Sequence, residues 1–180
     1  FDAFNAMNLQ HAREGWVLKT PSHLAYLKYL LAQYPDAAIV WTHRQPVDAI
    51  ASFSSLLSTL RAGFSDIIDR KVIGEHELRH FSKIIASGMQ QRSECDQGQF
   101  FDVGFSAICS DPLSVIGDIY DYFGMHLSDE AEFRMREYLQ RHPRGLHGEH
   151  QYSRGEFGLG DTSESDMYGP YLSQYERFLR

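Results

Sequence analysis

Cysteine is scarce in this chain. Only two occur in 180 residues, Cys95 and Cys109. Two thiols cannot build a disulfide framework, so nothing demands an oxidising compartment, and a cytoplasmic protein is expected. Long apolar runs are missing too, and none approaches the roughly 18 residues that span a bilayer. Basic residues are in the minority, 17 against 24 acidic, for a formal net charge of −7. That balance argues against a general nucleic-acid or anionic-membrane binder, whose affinity rests on a wide basic surface. It leaves room for one anionic ligand held by a few focused groups. Glycine (14) and proline (6) are too few for a low-complexity or collagen-like chain. Several catalytic signatures are also absent, among them the G-x-S-x-G elbow and the HExxH and HxxEH metal pairs.

What is present suits a folded protein. Hydrophobic residues make up 43% and charged residues 23%, which excludes wholesale disorder. Twelve Phe, ten Tyr and two Trp supply a core. The length fits one domain, and no repeat or linker divides residues 1–180. The chain opens at Phe1 without an initiator Met or a signal-like segment, and so reads as the inside of a longer protein.

The periodicity reads as alternating strands and helices. Phe1 to Glu14 has helical spacing. The apolar run Trp16-Val17-Leu18, stopped by Pro21, predicts a short buried strand. Ser22 is placed as the N-cap of a helix through Leu24, Leu27 and Leu31 to Tyr34. Residues 37–42 predict a second strand, with His43 and Arg44 at its carboxyl end. Pro46 then opens a helix running to Gly63. Further on come an amphipathic helix from Ile73 to Arg92, a strand over 100–105, a helix from Asp111-Pro112 to Phe123, and a helix after Ser128. Residues 141–150 read as a basic, Gly-rich loop, 161–166 as a polar segment, and Tyr171 to Leu179 as a closing helix. Strand–helix alternation with short connections is the pattern of parallel βαβ units in an α/β fold, which bind ligands at strand carboxyl ends.

Three segments can carry chemistry. At the second βα junction, Arg44 precedes a helix amino terminus with unsatisfied N–H groups, and Ser52 follows eight residues later. An Arg and a hydroxyl so placed can grip one phosphate from two sides. The plainer alternative pairs Arg44 with Asp48 and leaves Ser52 a filler. In the first junction, Lys19 ends the predicted strand and His23 opens the next helix, where the helix dipole disfavours imidazolium and suits a general base. The plainer alternative makes Lys19 a snorkelling lysine and His23 a turn cap. In the third, Pro143-Arg144-Gly145 heads a loop whose glycines let backbone N–H groups approach an anion; it also reads as an ordinary surface loop. His147-Gly148-Glu149-His150 lacks metal-site spacing, and the i, i+4 pair His76 and His80 lacks a third ligand, so no metal is expected.

Together these segments resemble the sulfotransferases that use 3′-phosphoadenosine 5′-phosphosulfate (PAPS). The match is with a bacterial-type branch whose core reads WVLKSPSH…THRDPV…S, followed by a late PRGKHGRHRYSLEDFGL loop. Here the segments read WVLKTPSH, THRQPVDAIAS and HPRGLHGEHQYSRGEFGL. The likeness runs from about Phe4 to Phe178. It implies a P-loop-NTPase-like three-layer αβα fold with a short parallel sheet. It also implies that Arg44 and Ser52 bind the nucleotide 3′-phosphate, that Arg144-Gly145 closes over the same phosphate, that Lys19 stabilises the transferred group, and that His23 is the base. Leu146 stands where a basic residue is common. His23 lies four residues after Lys19, against two in the cytosolic animal enzymes. The G-x-P-R-[ST]-G-[ST]-[ST] loop that cradles the 5′-phosphosulfate is expected upstream of Phe1, which implies a carboxyl-terminal portion, inactive without that loop.

The resemblance thus implies sulfuryl transfer from PAPS to a hydroxyl or amine on a small molecule or glycan, with neither nucleic acid nor membrane as partner. Residues 64–74 and 1–15 are the candidate acceptor segments. Two alternatives stand beside it. A nucleotide kinase would need a Walker loop upstream of Phe1. A non-catalytic nucleotide-binding module would keep the fold without turnover.

Overall fold

A computed structural model describes residues 16–143 and 152–180. The expected helix over Phe1–Glu14 and the loop over 144–150, with Arg144 and Gly145, lie outside the described residues. Two strands form a parallel pair. β1 (Ile39–His43) and β2 (Phe100–Gly104) align Ile39 with Phe100 and His43 with Gly104. Both are rich in the β-branched and aromatic residues that favour a pleated surface. α1 (Leu27–Gln33) precedes β1, and α2 (Pro46–Ala62) and α3 (Arg70–Ser93) run between the two strands. α4 (Phe105–Ser110), α5 (Pro112–Tyr122), α6 (Asp129–Arg141) and α7 (Asp161–Tyr175) follow β2. The architecture is a mixed α/β fold, mostly helical, around a short parallel sheet. Among the described residues no helix is long and apolar enough to cross a membrane.

Residue chemistry explains most of the boundaries. Pro46 takes the first position of α2, where its missing N–H is no loss. The Ser128 hydroxyl accepts the Ala131 N–H and starts α6 as expected. Asp69 caps α3 through the Lys71 and Val72 N–H groups, so that helix begins three residues earlier than its apolar periodicity suggests.

Three expectations are corrected. Residues 16–18 form no strand, and Val17 is 98% exposed rather than buried. Apolar character alone does not make a strand, which needs a ladder of inter-strand hydrogen bonds. The helix after Pro21 is capped by Thr20 rather than Ser22, for the Thr20 hydroxyl accepts the Ser22 N–H; it opens with a six-residue 3-10 segment, Pro21–Tyr26. The last helix begins at Asp161, not Tyr171, and a 3-10 turn, Glu176–Phe178, finishes it. Tyr168, Tyr171 and Tyr175 fall on one buried face, so the polar residues before them are the opening turns of the same helix.

The core has two buried clusters. One gathers Val47, Ile50 and Ala51 of α2, Leu78 of α3, Phe157, Leu159 and Tyr168. The other gathers Leu27, Leu31, Trp41 and Phe100. α3 reaches both, through Leu78 and through Met89.

Candidate functional site

β1 delivers His43 and Arg44 to the carboxyl edge of the sheet, and their environments differ sharply. His43 is wholly buried. Its Nε2 lies 2.8 Å from Asp102 Oδ1 on β2, and its Nδ1 lies 3.0 Å from the Tyr171 hydroxyl on α7. One tautomer satisfies every partner. Nε2–H donates to Asp102, and Nδ1 accepts from the Tyr171 O–H. The Tyr171 oxygen in turn accepts the Arg44 backbone N–H. Arg92 of α3 completes the network, reaching both Asp102 oxygens at 2.6 and 2.8 Å. Burial raises the tendency of Asp102 to hold its proton, but the hydrogen bonds from His43 and Arg92 and the Arg92 charge outweigh it and bring its pKa down to about 2. Burial also opposes the charge of Arg92, and Asp102 more than offsets that, so its pKa is raised. Burial pushes the Tyr171 phenol well above the ordinary tyrosine range, so it stays a neutral donor.

Arg44 turns outward from this buried base. Its guanidinium sits 4.7 Å from the centre of the Phe105 ring, and its Nη2 donates to the Tyr152 hydroxyl at 3.3 Å. Ser52, two turns into α2, hydrogen-bonds to the same hydroxyl. The two residues picked from the Arg44 to Ser52 interval therefore meet at one oxygen. The alternative pairing of Arg44 with Asp48 does not form. Asp48 instead takes two contacts of 2.8 Å from Arg154.

Lys19 and His23 lie in the segment that leads into α1. Lys19 is exposed and His23 half-buried. Their segment packs on the carboxyl half of α3: Leu24 lies against Gly88, and Gln91 ties down the Lys28 N–H and the Ala25 carbonyl. No hydrogen bond joins Lys19 or His23 to Arg44 or Ser52 in this structure. The expected acceptor segment 64–74 contributes to an open, largely apolar cleft of about 360 Å³ with Leu60, Phe64, Ile67 and Val72. That cleft lies about 20 Å along α2 from its amino terminus, at 1.5 Å per residue. Among the described residues no cluster of three metal-ligating side chains occurs. His76 and His80 stack on one another instead, and His76 bonds to Glu77.

Sequence alone assigns no role to Tyr152, which stands in the late HPRGLHGEHQYSRGEFGL segment, or to the partners of His43. No local pattern could reveal them: Tyr152 lies 108 residues from Arg44, and Tyr171 lies 128 from His43. An aromatic hydroxyl just beyond the Gly-rich loop was the only available signal.

Comparison with known proteins adds the following. The profile of a group described as the Sulfotransferase family matches residues 2–129. The structure is similar to the crystal structure of sulfotransferase STF9 from Mycobacterium avium, at 26% identity over 89% of this chain and a TM-score of 0.79. It is also similar to that of sulfotransferase STF1 from Mycobacterium tuberculosis H37Rv, at 34% identity over 90% of this chain and a TM-score of 0.76. The chain spans 41% of the length of each. No curated protein matches it.

Proposed function

The chain belongs to the sulfotransferase family, and from that premise we propose that it serves sulfuryl transfer from PAPS to an acceptor hydroxyl or amine on a small molecule or glycan. In this reading Arg44 and Ser52 hold the nucleotide 3′-phosphate, and Arg144 with Gly145 closes over it. Lys19 neutralises charge on the sulfuryl oxygens or the bridging oxygen as the bond to sulfur breaks. His23 takes the proton of the acceptor as its oxygen or nitrogen bonds to sulfur. The products are the sulfated acceptor and adenosine 3′,5′-bisphosphate. Phosphate contacts remote from sulfur contribute binding energy that can serve orientation. The protein would work in the cytoplasm, a compartment compatible with its two free cysteines.

One observation carries the reading. Arg44 and Ser52, chosen by their spacing, converge on a single oxygen at the carboxyl end of a parallel strand, where α/β folds bind anions. Calorimetry with adenosine 3′,5′-bisphosphate tests it. Arg44→Ala should weaken binding by about 1.5–3 kcal/mol, the range for a charge-assisted hydrogen bond. His23→Ala should leave that affinity intact and lower turnover by roughly 10²–10⁴. Equal affinity in parent and Arg44→Ala would refute the phosphate assignment, and an unchanged rate would remove His23 from the chemistry.

A further inference from the structure

The Arg44–Ser52 pair has a third member. Tyr152 packs against the buried cluster that includes Val47, Phe157 and Tyr168, so the core positions its side chain. Its hydroxyl accepts from Arg44 Nη2 and is hydrogen-bonded to Ser52. All three residues are half-buried, seated yet reachable from solvent. The neighbouring carboxylate, Asp48, lies one turn before Ser52 on the same helix and is matched by Arg154. An anion arriving here meets a guanidinium and two hydroxyls, and the Asp48 carboxylate beside them is paired with Arg154.

Building on the sulfotransferase reading, we propose that Tyr152 is a further binding residue for the nucleotide 3′-phosphate, donating its hydroxyl proton to a phosphate oxygen beside Arg44 and Ser52. Ser52 has a single hydroxyl proton, so it turns that proton from the phenol to the phosphate, and all three side chains can then donate to the anion. A guanidinium has five N–H donors, so Arg44 can keep the phenol on Nη2 and turn the rest of its fork to the phosphate. The packed ring has little freedom left to lose on binding, which favours affinity. The phenol is also a sharpened donor. Burial works against its ionisation, but the hydrogen bonds from Ser52 and Arg44 and the Arg44 charge outweigh both burial and the opposing charge of Asp48, so its pKa is lowered.

The test is calorimetric titration of the full chain and of Tyr152→Phe, which keeps the ring and its packing. The two probes are adenosine 3′,5′-bisphosphate and adenosine 5′-phosphate. Tyr152→Phe should bind the bisphosphate roughly tenfold more weakly and the monophosphate equally well, since only one carries the phosphate that the hydroxyl touches. Unchanged or tighter bisphosphate binding overturns the inference, for the phenol would then merely fill the clamp. An equal loss for both nucleotides overturns it as well, because it marks a general disturbance of the site. A parent chain that shows no preference for the bisphosphate sinks the sulfotransferase phosphate assignment itself, a result distinct from the other two.

Discussion

Asp102 answers two partners with one carboxylate, and that makes it the acid-sensitive point of the fold. Its oxygens accept from His43 and from the Arg92 fork, and its pKa falls from the ordinary 3.8 to about 2. A carboxyl group depressed in the folded state adds stability that is complete above its unfolded pKa. That contribution is lost as the pH falls through the folded value. Here the window runs from about pH 4 down to about pH 2, and the contribution is about 2 kcal/mol at 1.36 kcal/mol per unit. Urea unfolding measured across that window should show the decline, and Asp102→Asn should flatten it. A mutant with the slope of the parent would show that acid acts elsewhere.

Single elements show what the sequence could and could not disclose. α2 was legible because Pro46 and the apolar spacing from Val47 onward are local signals, and the Arg44 to Ser52 interval came with them. β2, α5 and α6 carried equally local marks in their aromatic run and capping residues. Residues 16–18 misled because a short apolar run reports hydrophobicity and not the backbone pairing that makes a strand. The opening of α7 was hidden because its first turns are polar. The seating of α3 was hidden for another reason: it depends on one small residue. A Cβ built on Gly74 would lie 2.1 Å from the Phe157 carbonyl oxygen and 2.8 Å from its Cβ. Gly74→Ala should therefore push α3 away from the 3-10 turn Gly155–Phe157 and destabilise by about 1–3 kcal/mol, as overpacking does, despite the better helix propensity of alanine. Thermal denaturation of the variant checks this, and a melting temperature at or above that of the parent contradicts the close approach.

Over the whole molecule, the question is whether two buried clusters behave as one body. α3 joins them, touching the first through Leu78 and the second through Met89. If residues 1–180 fold as a single domain, damage to one cluster must be felt in the other. Trp41 lies in the second cluster, and in a Trp16→Phe background it is the sole indole. Adding Leu78→Ala should remove about 2–5 kcal/mol from the first cluster. The Trp41 fluorescence transition in urea should shift to lower denaturant in step with the helical circular dichroism. A Trp41 transition that stays in place would divide the chain into two cooperative units.

The stacking around His43 has a practical consequence for spectroscopy. Tyr175 lies at 4.2 Å, Phe178 at 5.2 Å and Trp41 at 5.5 Å between ring centres, all nearly parallel to the imidazole. Circulating π-electrons in three such neighbours shield the imidazole protons. Their proton resonances should stand upfield, apart from those of the other eight histidines. That isolated signal sits one peptide bond from Arg44, so it offers a built-in magnetic probe of whatever anion Arg44 binds.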